Sequence, residues 1–275
     1  MPLGTHSNRP FVHTTIARQL LSRLRLTHEE RGISVIAGPW GIGKSTAIAE
    51  FVREQELGVA VVKVDPEGRK GGASPQAVMR LVLEAVAPMI GRTGWRITST
   101  THWALRLNFR NLMEDWADDN YGRDWQIEAA DRPRFTIVLD EAQYLSREAI
   151  EMLRYWNDSD GSSVHFPIGL VFVGNNEFVL QESGGDDSVL SGAVRSRAMF
   201  IESLEYTDVS DLDLTLFAQS RGIDDAGAIQ AIIAYFSTPR IRRDLRNAER
   251  FIGVFKRRAG SAPVTADIVR TVLAA

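Results

Sequence analysis

The chain has 275 residues, of which 44% are hydrophobic and 24% charged, a composition typical of a globular protein with a sizeable core. Its 32 Lys and Arg against 35 Asp and Glu give a net charge of −3, so no overall basic excess indicates nucleic-acid binding, although a local basic patch is compatible with it. The lack of cysteine excludes a disulfide scaffold, a thiolate metal site and a cysteine nucleophile. With neither an apolar leader nor an apolar run of membrane length, we expect a soluble, cytoplasmic protein with no membrane partner.

Short β-branched runs alternate with longer helical stretches along most of the chain. Strands are predicted at residues 33–37, 58–64, 135–139, 168–173 and 198–201, and helices at 45–53, 75–86 and 103–116. Because the strands are continuously apolar rather than alternating, they suit burial on both faces of a sheet. The pattern predicts an α/β fold in which a mostly parallel sheet is flanked by helices.

After about residue 205 the strands stop and the pattern becomes helical. An apolar stripe recurs at helical spacing in the last part of the chain, and it consists of Ile241, Leu245, Ala248, Ile252 and Phe255. We therefore predict a helical N-terminal extension at 1–30, an α/β domain at 31–205 and a small helical domain at 206–275.

A phosphate-binding loop is predicted between the first strand and the helix that follows it. Residues 38–45 fit the pattern G-x-x-x-x-G-K-[ST], whose glycines let successive backbone N–H groups point at a phosphate. Lys44 is expected to reach the β- and γ-phosphates and the Ser45 hydroxyl to bind Mg²⁺. The predicted nucleotide-binding residues are Gly38, Pro39, Trp40, Gly41, Ile42, Gly43, Lys44, Ser45 and Thr46.

Two carboxylates follow the apolar strand at 135–139. Asp140 at the end of a buried strand needs a compensating positive charge, which Mg²⁺ on nucleotide phosphates supplies. Glu141 is the next residue and is predicted to polarise the attacking water. The alternative is a turn that caps a helix, but the phosphate loop upstream favours the catalytic interpretation.

Polar side chains at the end of the next strand and beyond it complete the predicted site. Asn175 follows the strand at 168–173 and is the candidate that contacts the γ-phosphate or the lytic water; a plain turn after Gly174 is the alternative. An arginine that reaches a neighbouring subunit's γ-phosphate stabilises the transition state. Arg197 is the first candidate for this role and Arg195 the second.

One further arginine is predicted to contact the nucleotide from the C-terminal domain. Residues 239–245 are predicted to open the long C-terminal helix, and Arg242 in this segment is the candidate. Arg240 or Arg243 are the alternatives.

The order of these motifs resembles that of the AAA+ ATPases over roughly residues 30–260. Within this region, LDEAQYLSREAIEMLRYWND (139–158) and GLVFVGNNEF (169–178) resemble the DNA-transposition regulators, the family of phage Mu transposition protein B and TnsC. The resemblance implies an AAA+ P-loop NTPase fold with a helical C-terminal lid, ATP and Mg²⁺ as cofactors, and ATP hydrolysis. It further implies a ring or helical filament that assembles on double-stranded DNA with little sequence preference and recruits a transposase.

Such DNA binding requires phosphate contacts, for which two loops are candidates. The first contains Arg69 and Lys70, and the second contains Arg96 and Thr98; an ordinary solvated surface is the alternative for both. Residues 240–258 carry a net charge of +6 and residues 202–225 one of −6. The basic segment is a candidate to contact DNA, the transposase or an acidic neighbour, and the opposed charges suit head-to-tail contacts between subunits; a solvated basic helix face is the alternative. Two other functions stay open, an ATPase of a secretion apparatus and a replication or helicase-loading ATPase.

Overall fold

The computed structural model describes residues 10–55, 57–65, 72–92, 97, 101–122, 133–158, 166–176, 178 and 190–274. The chain forms two compact units. The sheet unit consists of Arg23–Gly38 and Phe51–Ser203. The lid unit consists of Met1–Ser22, Pro39–Glu50 and Leu204–Ala275.

Helices and strands alternate along the chain up to about residue 203, and helices follow. The strands are β1 (Ile33–Ala37), β2 (Val59–Lys63), β3 (Thr136–Asp140), β4 (Gly169–Gly174) and β5 (Ala198–Ser203). The first six helices are α1 (Thr15–Glu30), α2 (Lys44–Gln55), α3 (Pro75–Val86), α4 (His102–Tyr121), α5 (Arg147–Asn157) and α6 (Gly192–Arg197). The last four are α7 (Asp211–Ser220), α8 (Ala226–Phe236), α9 (Leu245–Ala259) and α10 (Ala266–Ala274).

The sheet is parallel throughout, with strand order β2-β3-β4-β1-β5. Strands β1 and β4 are buried along their whole length, as their continuous apolar sequences predict. Because all five strands run the same way, their carboxyl ends meet at one edge. At that edge Ala37 of β1 pairs with Gly174 of β4, and Asp140 of β3 pairs with Val173. The predicted α/β fold with a parallel sheet is confirmed.

Side-chain caps set the start of several helices. Ser74 accepts a hydrogen bond from the Ala77 amide, and Pro75 follows at the first helical position of α3. Asp244 caps α9 in the same way. The C-terminal helix therefore begins at Leu245. The prediction that residues 239–245 open this helix was wrong for residues 239–244, which precede it.

Aromatic and aliphatic side chains fill the space between the sheet and its helices. The rings of Phe109 on α4 and Trp156 on α5 stack with centroids 4.2 Å apart, and both are fully buried with Trp116 and Phe135. Among the described helices, none has the length and apolar character that a membrane span requires.

A buried histidine contacts the sheet at the amino-terminal end of β3, the end opposite to the carboxyl edge. His28 Nδ1 is 2.9 Å from Thr136 Oγ1, at the start of β3. Burial, together with the positive charges of Arg134 and Arg31, lowers the pKa of His28 from 6.5 to about 4. The fold therefore holds this imidazole neutral at physiological pH.

We expect this histidine to make the protein acid-sensitive. Between pH 6.5 and about 4 the unfolded chain binds a proton at His28 that the folded chain does not, so the free energy of unfolding falls as the pH drops through this window. Over this window the free energy of unfolding should fall by about 2 kcal/mol. This is less than the full pKa shift would give, because solvent screens part of the effect. Urea unfolding at a series of pH values measures it. His28→Asn retains a polar atom near Thr136 without titrating, and its stability should depend less on pH over this range; an identical pH dependence would contradict the assignment.

Candidate nucleotide-binding site

The phosphate loop has a backbone that only its glycines allow. Gly41 and Gly43 have φ angles of +86° and +104°, in the region that side-chain-bearing residues rarely adopt. Helix α2 then begins at Lys44, and its first backbone bond joins the Ala47 amide to the Gly43 carbonyl. The amides just before Ala47 thus belong to the open N-terminal turn of a helix, the arrangement that binds phosphates elsewhere.

The side chains of this loop and of the first turn of α2 differ in their exposure. Ser45 and Thr46 are exposed in the first turn of α2, and Lys44 is half-buried with its Nζ 2.9 Å from the Pro39 carbonyl oxygen. Ile42 is buried, whereas Trp40 is 54% exposed. The lysine side chain is therefore bent over the loop, near the amides that would surround a phosphate.

The start of helix α9 packs directly on the phosphate loop within the lid unit. The amides of Leu245 and Arg246 donate to the Gly41 carbonyl oxygen over 3.0 and 3.3 Å. A Cβ at Gly41 would lie 2.8 Å from a carboxylate oxygen of Asp244, the residue that caps α9. Gly41 is thus required for its φ angle and for this close approach, a contact that the sequence pattern did not reveal.

Of the three arginines proposed for the lid, one is already engaged. Arg243 donates to the Val209 carbonyl, to Asp211 and to Ser237 Oγ, and so ties the segment before α9 to α7 and α8. Arg240 and Arg242 are both exposed. The contacts of Arg243 leave Arg242 and Arg240 as the candidates for a lid contact with nucleotide.

The acidic pair lies where β3 ends, in the sheet unit. Asp140 is the last residue of β3, is half-buried, and accepts a 3.1 Å hydrogen bond at Oδ1 from the Glu141 amide. Glu141 has a φ of +61°, a left-handed conformation that costs a non-glycine residue about 1 kcal/mol or more. This turn directs the chain away from the strand immediately after the two carboxylates.

A glutamine links Glu141 to the end of the neighbouring strand. Gln143 Nε2 donates to Glu141 Oε2 over 2.6 Å, and Gln143 Oε1 accepts from the Asn175 amide over 3.1 Å. The structure therefore brings together Glu141 and Asn175, two predicted site residues, through a third that the sequence analysis did not select. Its position two residues after an Asp-Glu pair was the available signal.

The first proposed trans arginine is held within its own chain. Arg197 Nη1 donates to Asp158 Oδ2 over 2.6 Å, and the same oxygen accepts from Arg154 Nη1 over 3.1 Å. The Arg197 side chain is 45% exposed, and Arg195 lies on the same short helix α6. A role of Arg197 in a neighbouring site would require it to leave Asp158.

The residues proposed to bind Mg²⁺ have suitable chemistry. Ser45 offers an exposed hydroxyl and Asp140 a half-buried carboxylate, and Mg²⁺ in nucleotide sites usually takes one or two such protein oxygens together with phosphates and water. Among the described residues there is no cluster of three or more His, Asp or Glu side chains that would hold a metal by itself. The four proposed DNA contacts, Arg69, Lys70, Arg96 and Thr98, lie outside the described residues.

Comparison with known proteins decides the family. A family model described as an AAA domain matches residues 27–181, more than half of the chain. The chain belongs to the AAA domain family. This AAA domain is a nucleotide-hydrolysing ATPase, and its α/β fold is that of an AAA+ P-loop NTPase with a helical C-terminal region. The predicted AAA+ assignment is confirmed, whereas membership of the transposition-regulator family stays a prediction.

Solved structures show the same fold at low sequence identity. The Thermotoga maritima RuvB Holliday junction branch migration motor matches with a TM-score of 0.54 and 16% identity, over 97% of this chain and 72% of that one. Cdc6p from Pyrobaculum aerophilum gives 0.56 and 15%, over 92% and 63%. Drosophila ORC bound to DNA gives 0.51 and 12%, over 90% of this chain and 39% of that one. No curated protein sequence matches this AAA domain significantly.

Proposed function

We propose that this AAA domain is an ATP-dependent, DNA-binding regulator of DNA transposition. It assembles on duplex DNA as a ring or helical filament, recruits or activates a transposase, and selects target sites. ATP hydrolysis drives its disassembly, so turnover is slow. The sequence around Asp140 and Asn175 resembles that of the transposition regulators, and this resemblance supports the transposase part of the proposal.

In the proposed chemistry, the phosphate loop and the acidic pair act on one nucleotide. Lys44 and the amides at the start of α2 bind its phosphates, and Ser45 and Asp140 hold Mg²⁺. The bound Mg²⁺ neutralises charge on the β- and γ-phosphates. Glu141 accepts the proton of the water that attacks the γ-phosphorus, while the bond to the ADP oxygen breaks.

Three further side chains complete the proposal. Asn175 contacts the γ-phosphate or the lytic water from the end of β4. Arg197, or Arg195 on the same helix, reaches the nucleotide of a neighbouring subunit, where its guanidinium stabilises transition-state charge. Arg242 contacts the nucleotide from the lid unit.

The observation that carries the DNA-binding part is a row of arginines on helix α9. Arg246, Arg250 and Arg257 form this arginine stripe, which is exposed and lies opposite the buried face of Ala248, Ile252 and Phe255. Across the described residues, the side chains of these three arginines take part in no hydrogen bond or ion pair, and the small Gly253 lies among them.

The physical chemistry of this row favours a polyanionic partner. Like charges four residues apart destabilise a helix, and Arg246 in the first turn also opposes the helix dipole. The stripe extends over about 16 Å of helix, since each residue adds about 1.5 Å, so it can contact several backbone phosphates. Such contacts are indifferent to base sequence, as a non-specific DNA-binding protein requires.

We expect the arginine stripe to contribute to the salt dependence of DNA binding. Replacing Arg250 and Arg257 with Gln should weaken ATP-dependent binding to plain duplex DNA. The negative slope of log K against log salt concentration should become shallower by about 2, since each lost phosphate contact reduces its magnitude by about 0.9. Arg246 is left intact because it adjoins Gly41 of the phosphate loop, so that its replacement could change nucleotide binding as well as DNA binding. Fluorescence anisotropy across a salt titration measures the slope.

The control for this experiment is Arg270→Gln. Arg270 is an exposed helical arginine that already has an acidic partner, Asp267 at 3.5 Å, so its loss should leave the slope unchanged. The rate of ATP hydrolysis without DNA should be the same in the parent, in the Arg250/Arg257 double variant and in Arg270→Gln. If the double variant showed the parental slope, the proposal that the arginine stripe of α9 contacts DNA would be contradicted.

Two alternatives are distinguished by further assays. A replication or helicase-loading ATPase is compatible with the AAA+ fold, and an ATPase of a secretion apparatus would need no DNA. The proposed regulator should retain a cognate transposase on DNA only when ATP is bound, and should bias where that transposase inserts. ATP-dependent DNA binding without any effect on insertion would favour the replication-type function, and no DNA binding at all would favour the secretion type.

A further inference from the structure

One side-chain amide in the sheet unit makes two hydrogen bonds that join the acidic turn to the next strand. Gln143 lies in the short 3-10 turn Ala142–Tyr144, directly after Glu141. Its nitrogen donates to Glu141 Oε2 over 2.6 Å, and its oxygen accepts from the backbone amide of Asn175 over 3.1 Å. Both polar ends of the side chain are thus used, one toward each predicted site residue.

The neighbouring backbone is shaped to admit this amide. A Cβ at Gly174 would lie 2.9 Å from Gln143 Oε1, closer than real Cβ atoms approach such a group. A side chain at Gly174 would therefore displace the Gln143 oxygen from the place where it accepts from the Asn175 amide. The carbonyl oxygen of Gly174 is itself bonded to the Gly38 amide, the first residue of the phosphate motif, over 3.1 Å.

The two bonds have different consequences. A neutral donor on one carboxylate oxygen fixes the rotation of the Glu141 side chain and leaves the other oxygen available to accept a proton from water. The bond to the Asn175 amide makes the position of Gln143 depend on the position of the end of β4. A shift of that strand end would therefore alter the orientation of the Glu141 carboxylate.

We propose that Gln143 is a positioning residue for nucleotide hydrolysis, which holds the Glu141 carboxylate in its reactive orientation and couples it to the strand end that carries Asn175. This inference rests on the proposed role of Glu141 as the base. Gln143 itself neither accepts the proton of the attacking water nor contacts a phosphate. Its loss should consequently slow the chemical step without weakening nucleotide binding.

Steady-state hydrolysis by Gln143→Met tests the inference. Methionine has a similar length but lacks both hydrogen-bonding groups, so kcat should fall by about 10- to 100-fold, the usual effect of a misplaced catalytic group. The KM for ATP and the Kd of a fluorescent ATP analogue should change less than 2-fold. The control is Gln76→Met, the same chemical change at an exposed position of α3, which should leave kcat unaltered.

A second variant separates the two bonds. Gln143→Glu keeps an oxygen that can accept from the Asn175 amide, but it removes the donor to Glu141 and places a like charge beside that carboxylate. We expect its kcat to be at least as low as that of Gln143→Met, because the bond to Glu141 is the one that acts on the base. A kcat near the parental value in Gln143→Glu would overturn the proposed orientation of Glu141.

The double variant Glu141→Gln/Gln143→Met distinguishes this inference from the proposed function. If Gln143 acts through Glu141, the double variant should hydrolyse ATP no more slowly than Glu141→Gln alone. Additive losses, or parental kcat in Gln143→Met, would overturn the positioning role. Parental hydrolysis by Glu141→Gln would instead overturn the assignment of the base. Thermal unfolding and analogue binding verify that each variant is folded, and loss of folding in both single Gln143 variants would itself contradict a positioning role.

Discussion

Glu141→Gln is expected to lower ATP turnover by at least about 100-fold, because a general base contributes roughly 10²- to 10⁴-fold to a rate. The substitution removes the proton acceptor but keeps the size of the side chain. Nucleotide affinity should therefore persist, and the protein should remain in its ATP-bound form. Rapid-quench hydrolysis assays and equilibrium binding of ATP measure the two effects separately.

The same variant should accumulate on DNA. If hydrolysis drives disassembly, Glu141→Gln with ATP should form oligomers on duplex DNA that dissociate far more slowly than those of the parent. Glu148→Gln is a suitable control, since Glu148 is an exposed carboxylate at the start of α5. Hydrolysis by Glu141→Gln at the parental rate would show that another group activates the water.

Lys44→Ala is expected to abolish nucleotide binding at ATP concentrations near the parental Kd. The half-buried ammonium lies 2.9 Å from the Pro39 carbonyl oxygen, and we expect it to contact phosphate oxygens there. Losing one hydrogen bond to a charged group costs up to about 3 kcal/mol, which corresponds to roughly a 100-fold weaker affinity for ATP. Calorimetric titration with ATP and Mg²⁺ measures this loss.

All ATP-dependent behaviour should disappear with that binding. Lys44→Ala should neither oligomerise on DNA nor hydrolyse ATP, in contrast to Glu141→Gln, which should do the first and not the second. Lys256→Ala is the control, because Lys256 also donates to a backbone carbonyl, that of Arg221, over 2.7 Å in the same unit. Unchanged ATP affinity in Lys44→Ala would contradict the placement of the triphosphate at this loop.

The phosphate loop and the sheet were predictable because their determinants are local. The positive φ angles of Gly41 and Gly43 and the start of α2 at Lys44 all follow from eight consecutive residues. Likewise, the continuous apolar runs specify strands that are buried on both faces, as β1 and β4 are. The acidic turn was also visible, since Asp140 and Glu141 directly follow such a run.

The contacts around these motifs depended on tertiary structure. Gln143 meets Asn175 across 32 positions only because β3 and β4 are neighbours in the sheet, and no periodicity in the sequence specifies that order. The packing of α9 on Gly41 joins residues about 200 positions apart. The start of α9 at Leu245 depended on whether Asp244 would cap it, which several nearby polar residues left open.

The sequence by itself therefore determined the AAA+ fold and the positions of the glycine-rich loop and of the strand that ends in Asp140, because each is encoded by adjacent residues whose backbone or burial requirements are met locally. Only the tertiary structure decided which side chains support them. The pairing of Arg197 with Asp158, the engagement of Arg243 and the bridge made by Gln143 depend on strand order and helix packing, which bring together side chains that are distant along the chain.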